Sequence, residues 1–356
     1  MTPRKNRILS YDLLRILAIC MVVMIHSTLP FLKECLPPSP DFTWANILNS
    51  LSRAGVPLFL MLSGALMLDE KKHNDFHTML RRTWKLFVPL AAWSFLYSAV
   101  FYLLLPFLKH EPYSVKYFLV RFLLGYYHLW FLPLLIGLYL ITPILRLFVR
   151  KENSRWILYM ILLSVLFRFS VPLLNLLSNQ ITGPENYGET FMNQFRMGFV
   201  EPYLIYYILG WFLSTHPLSR RQRKWIYALG AFGLLLTAAG TQLLTSPELK
   251  AFDTFYSFES IHVLCYSVAV FVFVFYAVQN HTIHHRWLSR LIVQVSTLSF
   301  GIYAVHEMVR PVLGKLFFAE MHGPQIPLLW ISVLMVSLGI TWAGSRIPIL
   351  HRLFRI

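Results

Sequence analysis

Charge is the first scarcity. Only 13% of the 356 residues are Asp, Glu, Lys or Arg, about half the share that a water-soluble domain spreads over its surface. Acidic residues are scarcer than basic ones, 16 against 32, which leaves a net charge of +16. Cysteine is limited to Cys20, Cys35 and Cys265, with no close pair, so neither a disulfide framework nor a cysteine metal site is expected. A glycine-rich nucleotide loop, a G-x-S-x-G elbow and an H-E-x-x-H zinc helix are also missing. His281, His284 and His285 have metal-ligand spacing, but they lie in a basic loop without Cys or carboxylate partners. No metal is expected there.

What the chain has in excess is apolar: 56% of it is hydrophobic, including 29 Phe, in runs of about 20 residues that fit the ~30 Å hydrocarbon core of a bilayer. A nucleic-acid binder carries its basic charge on a soluble domain, so the charge of +16 points to a membrane instead and no nucleic acid is expected. The first apolar run follows Arg4, Lys5 and Arg7, as a signal peptide would. It carries Asp12, Arg15 and His26 and lacks a small-residue cleavage site, so it reads as a retained helix.

Turn and charge punctuation predicts an all-α integral membrane protein, one membrane domain over 1–356. About ten transmembrane helices are expected, at 8–30, 54–68, 84–107, 128–147, 156–174, 199–214, 225–244, 259–279, 291–312 and 327–345. The second and sixth are short enough to be tilted, broken or re-entrant. Residues 113–126 alternate apolar and basic positions at helical spacing, which suits a helix lying on the membrane. Segments 31–52, 175–198 and 245–258 read as outer loops. With the N-terminus inside, the inner segments hold 21 of the Lys and Arg, the outer ones 8. The positive-inside rule then makes both termini cytoplasmic.

Ionisable groups inside a bilayer cost about 2.5–3.5 kcal/mol each on insertion scales and therefore direct attention to function. Asp12 lies one turn below Arg15 and can pair with it. Arg15 and His26 are eleven residues apart, within about 20° of three whole turns and about 16 Å along the axis, so they share a helix face. Ser299, Tyr303, His306 and Arg310 form a second stripe at steps of four, three and four. His128, His262, Glu259, Arg53, Glu201 and Arg168 fall near the outer rim of their helices. A polar cavity opening outward, connected through Arg15 to the cytoplasmic side, is the expectation. A neutral imidazole suits proton transfer near pH 7, an arginine suits phosphate or carboxylate, and together they suit group transfer from an anionic donor.

At these residues the chain resembles the acyltransferase family 3 membrane proteins, ten-helix bacterial enzymes that O-acylate cell-surface glycans. Four blocks carry the resemblance in order: YDLLRILAICMVVMIHS at 11–27, SRAGVPLFLMLSG at 52–64, HLWFLPLLIGLYLITPIL at 128–145 and SFGIYAVHEMV at 299–309. The resemblance implies that His26 is the essential histidine, that Arg15 contacts an acyl-CoA donor, and that Arg53 and His128 line the same cavity. It further implies acetyl-CoA as co-substrate, a glycan or lipid-linked saccharide as acceptor, and a place in the bacterial inner (cytoplasmic) membrane. Some relatives carry a periplasmic hydrolase-like domain after the tenth helix; none is expected here, a stand-alone form shared by the member that acts on enterobacterial common antigen. The expected roles are His26 as general base or transient acyl carrier, His306, Arg53 and His128 in orienting acceptor or oxyanion, and Arg15 and Asp12 toward the donor. Other acyl-CoA donors such as succinyl-CoA, and a transporter without acyl-CoA dependence, are the competing readings. No internal repeat of the transporter kind is evident.

The charge count predicts sidedness directly. In a background lacking the three native cysteines, Ser219→Cys should react with an impermeant thiol reagent only after the membrane is opened, and His110→Cys should react in intact cells. The reverse pattern would invert the topology.

Overall fold

The computed structural model describes residues 9–70, 76–112, 114–183, 186–246, 252–278, 285–318 and 320–355. Among these residues every regular element is helical. The chain is an all-α integral membrane protein, and nine stretches among the described residues are long and apolar enough to cross a bilayer. The sixth expected span is Pro202–Thr215, a helix of 14 residues. At 1.5 Å per residue it is about 21 Å long, short of the bilayer core. The second expected span is the 13-residue helix Gly55–Met67.

These two short helices lie in the middle of the bundle, where their length is no penalty. Leu58, Leu60 and Met61 on one and Tyr206, Tyr207, Ile208 and Trp211 on the other are fully buried. Segments enclosed by protein need not match the lipid thickness. They approach backbone to backbone: a Cβ at Gly64 would strike the Tyr207 carbonyl, and one at Gly210 the Met61 carbonyl. Such small-residue contacts let helices pack closely where no hydrophobic effect drives them together. Pro202–Thr215 starts sharply because Pro202 stands in its first turn and the Glu201 side chain accepts from the Leu204 amide at 3.0 Å.

Gly55–Met67, Phe131–Phe148 and Pro202–Thr215 run in one direction. Their starts meet through the rings of Phe59 and Phe131, 5.9 Å apart, and of Trp130 and Tyr203, 5.6 Å apart. Near their ends Arg146 donates to the carbonyls of Met67 and Asp69 at 3.0 and 2.9 Å, and Ser154 Oγ lies 2.8 Å from His216 Nε2. The helices Leu9–Glu34 and Arg286–Phe317 pack side by side the other way. Ser296 donates to Asp12 at one end, and the rings of His26 and His306 are 5.0 Å apart toward the other.

Three segments depart from the expected loops. Residues 31–52 hold the end of the first helix and a further helix, Pro40–Ser52. Ser39 caps it by accepting from the Phe42 amide, and its buried face is Phe42, Ala45, Asn46 and Asn49 at helical spacing. Residues 175–198 carry the end of Val171–Thr182 and the short helix Tyr187–Asn193, and 245–258 include Phe252–Phe255. The amphipathic segment forms the helix Val115–Leu124, half its residues apolar and exposed, and ends at Gly125, whose φ of 77° turns the chain into Phe131–Phe148.

Packing at the glycine contact predicts a contrast. Gly210→Leu should prevent assembly of the bundle, with overpacking of at least about 1–3 kcal/mol read as loss of monodisperse protein. Gly137→Leu, where an added Cβ meets nothing within 4 Å, should leave yield and melting unchanged.

Candidate active site

The helix Arg286–Phe317 places Tyr303, His306, Glu307 and Arg310 on the side that faces His26. Glu307 is at the centre. Its side chain is 1% exposed, and a lone carboxylate at that depth would be untenable. Arg310, one turn on, closes a fork on it: Nε donates to Oε1 and Nη2 to Oε2, both at 3.0 Å. The Tyr127 hydroxyl donates to Oε2 as well. On the other side Oε1 lies 3.5 Å from His26 Nδ1 and 3.7 Å from His306 Nε2.

Three imidazoles therefore share one carboxylate environment. The ring of His128 is 5.2 Å from that of His306 and 6.5 Å from that of His26. His128 is held through its backbone, whose carbonyl accepts the Tyr303 hydroxyl at 2.6 Å, while Tyr97 packs edge-on at 4.9 Å and donates to the Ala304 carbonyl. His306 Nδ1 lies 2.7 Å from the Tyr303 carbonyl. A carbonyl only accepts, so this nitrogen carries a proton and the ring orientation is fixed. The buried nitrogen of His26 is Nδ1, turned toward Glu307, which leaves Nε2 to face open space.

That space is a cavity of about 1450 Å³. It reaches from His26, His128 and Tyr303 past Ser299 to Arg15 and Asp12, and its charged rim holds Arg82, Lys85 and Lys151 together with Asp69 and Glu70. Arg15 Nη1 lies 3.1 Å from Ser296 Oγ and 3.7 Å from Asp12 Oδ1, with its side chain 28% exposed. The expected cavity is present, but its charged mouth is at the Arg15 end rather than beyond His26.

The site so joins His26, His128 and His306, with Arg15 and Asp12 at the other end of the same cavity. Two expectations change. His306 is fully buried behind His26 and is not among the cavity-lining residues, so it positions other groups and does not touch a substrate there. Arg53 is also absent from the cavity wall. Its guanidinium donates to the Tyr256 carbonyl and lies 4.2 Å from the centre of the Phe258 ring; these partners hold it outside the cavity wall, from where it reaches His26 only electrostatically. His262 likewise turns aside, its Nε2 3.0 Å from the Phe255 carbonyl.

The chain matches the family described as an acyltransferase domain over residues 8–346. It belongs to acyltransferase family 3. No curated protein and no solved structure matches it. The acyltransferase's own geometry must then identify its working groups, and sequence reasoning passed over the central one. Glu307 stands inside the fourth block of the resemblance, next to His306, and the usable signal was the cost of a carboxylate within a span. Tyr127 carried no such signal, because tyrosine is common near span ends.

His26, His306 and Glu307 also have the spacing of a metal site, with ligand atoms within 4.8 Å of one another. The Arg310 fork makes the fit poor: a dication would sit against a fixed guanidinium that already occupies both carboxylate oxygens. Of the loop histidines, His281 and His284 lie outside the described residues.

A carboxylate behind an imidazole orients it and stabilises its protonated form. Glu307→Gln should lower kcat of acyl transfer about 100-fold with the donor KM within about twofold, followed by release of CoA thiol. Tyr127→Phe removes one of several donors to Glu307 and should cost less than about tenfold. An unchanged kcat in Glu307→Gln would remove Glu307 from the mechanism.

Proposed function

We propose that this acyltransferase moves an acetyl group from cytoplasmic acetyl-CoA to a hydroxyl of a cell-surface glycan or its lipid-linked precursor, in the bacterial inner membrane with both termini cytoplasmic. The observation that carries this reading is the single cavity that joins a charged mouth, four basic side chains among three carboxylates, to a histidine–carboxylate pair. Arg82, Lys85 and Lys151 at the rim suit the phosphates of CoA, and Arg15 stands between them and His26. From Arg15 to His26 is about 16 Å along the helix, a span for an extended pantetheine arm that delivers the thioester to the imidazole.

The chemistry then needs few groups. His26 Nε2 takes the proton of the acceptor hydroxyl while the hydroxyl oxygen attacks the thioester carbonyl carbon. The tetrahedral oxyanion collapses, the carbon–sulfur bond breaks, and the same proton passes from His26 to the departing thiolate. Glu307 steadies the imidazolium between the two transfers. His128 lines the same cavity end, its ring 6.5 Å from that of His26, and would donate to the oxyanion. Arg53 is removed from this chemistry by its partners. General-base action is preferred to an acyl-imidazole carrier because the Glu307 carboxylate favours a proton-bearing ring.

His26→Ala should abolish transfer, a loss of at least about 100-fold, with protein level and melting retained; acetylated surface glycan persisting in that variant, read by mass spectrometry, would sink the assignment. Arg15→Ala should weaken acetyl-CoA binding about tenfold or more, as expected for a lost charge-assisted bond. The same titration with succinyl-CoA separates the donors, and solute counterflow independent of acyl-CoA would favour a transporter.

A further inference from the structure

The cavity has a second wall group whose chemistry the donor does not use. Trp130 lines the cavity two residues after His128, yet it is 39% exposed. Its indole stacks on Phe258, with centroids 6.2 Å apart and planes within 25°, and meets Tyr203 at 5.6 Å. Phe258 is braced from behind: its carbonyl accepts the Tyr206 hydroxyl at 2.8 Å, and the buried Arg53 guanidinium lies against its ring. A rigid aromatic platform thus stands where the cavity meets the rim opposite Arg15.

Two carboxylates border this platform. Glu201 precedes Tyr203 by two residues, and Glu259 follows Phe258 directly. One oxygen of Glu201 caps its helix and the other is free. The side chain of Glu259 makes no hydrogen bond, and Glu201 and Arg168 are both near enough to act on it electrostatically. Aromatic faces and hydrogen-bond acceptors together suit one ligand class. A pyranose presents an apolar C–H face to a ring and hydroxyl donors to carboxylates. Two carboxylates disfavour an anion such as CoA on this platform.

We propose that Trp130, Tyr203 and Phe258, with Glu201 and Glu259, form the acceptor subsite of this acyltransferase and bind a neutral saccharide whose hydroxyl reaches His26 over the edge of Trp130. The proposal rests on the transfer reading given above and adds the acceptor's place and chemical class. Arg53 then has a role the donor cavity does not supply: it is a positioning residue that holds Phe258 and the Tyr256 carbonyl in place.

The test uses the full chain in lipid nanodiscs and N,N′-diacetylchitobiose as probe, with binding read by saturation-transfer NMR. Trp130→Ala should raise the Kd about tenfold and Trp130→Phe by less than about threefold, since the smaller ring keeps the stacking face. Glu259→Gln, a gentler change should Trp130→Ala misfold, should raise it about fivefold. Equal affinity in the parent and the Trp130 and Glu259 variants would overturn the site, as would preference for tetramethylammonium, since aromatic rings with carboxylates also suit cations. Acetyl-CoA is titrated into the same samples. Acetyl-CoA binding without disaccharide binding overturns the subsite alone. Disaccharide binding sensitive to Trp130, without acetyl-CoA binding, leaves the subsite standing and sinks the donor reading.

Discussion

The structure turns on one buried negative charge. Glu307 is enclosed in the middle of a membrane bundle, where an unpaired carboxylate would cost several kcal/mol. Arg310 and Tyr127 hold one side of it and leave the other to His26 and His306. That arrangement sets the register of Arg286–Phe317 against Leu9–Glu34, because only one sliding position brings the carboxylate to His26 while Ser296 still reaches Asp12. It also draws in the loop that carries Tyr127 and His128. Packing and the candidate site share this group: the charge that must be neutralised for the bundle to assemble is the charge that lies against the His26 imidazole.

The rest of the fold makes room for the cavity. The short helices Gly55–Met67 and Pro202–Thr215 lie inside the bundle and not against lipid, and they touch at Gly64 and Gly210 so closely that side chains are excluded between them. Their starts are brought to the His128 end by Phe59, Phe131 and Tyr203, and their ends leave a rim of charged groups. Long helices around them supply the length a bilayer demands. The cavity runs from charged side chains beside Arg15 to His26, His128 and the half-exposed Trp130 at its other end.

Much of this was legible in the residues. The eleven-residue step from Arg15 to His26 fixes a common helix face by geometry alone, and the structure has both on one cavity. The four-three-four stripe from Ser299 to Arg310 was likewise sound as a face. It did not tell which members meet the cavity and which pack behind it: Ser299 and Tyr303 line the space, while His306 is covered. Arg53 shows the limit of reading charge as chemistry. Its place at a helix start near the rim said nothing of Tyr256 and Phe258, some 200 positions away, whose backbone carbonyl and ring hold the guanidinium.

By itself the sequence determined that the chain is a helical membrane protein, that Arg15 and His26 lie on one side of the first helix, and which family it belongs to. The first two follow from composition and from a fixed helical repeat, the third from four ordered sequence blocks, and all of these are local. The tertiary structure alone decided that Glu307 is the hub, that the cavity's charged mouth lies beside Arg15, and that Trp130 stands between cavity and rim. Each of these depends on how helices distant in sequence rotate and slide against one another. That choice is made by pairing buried polar groups and fitting backbones at glycines, and no single segment contains the information.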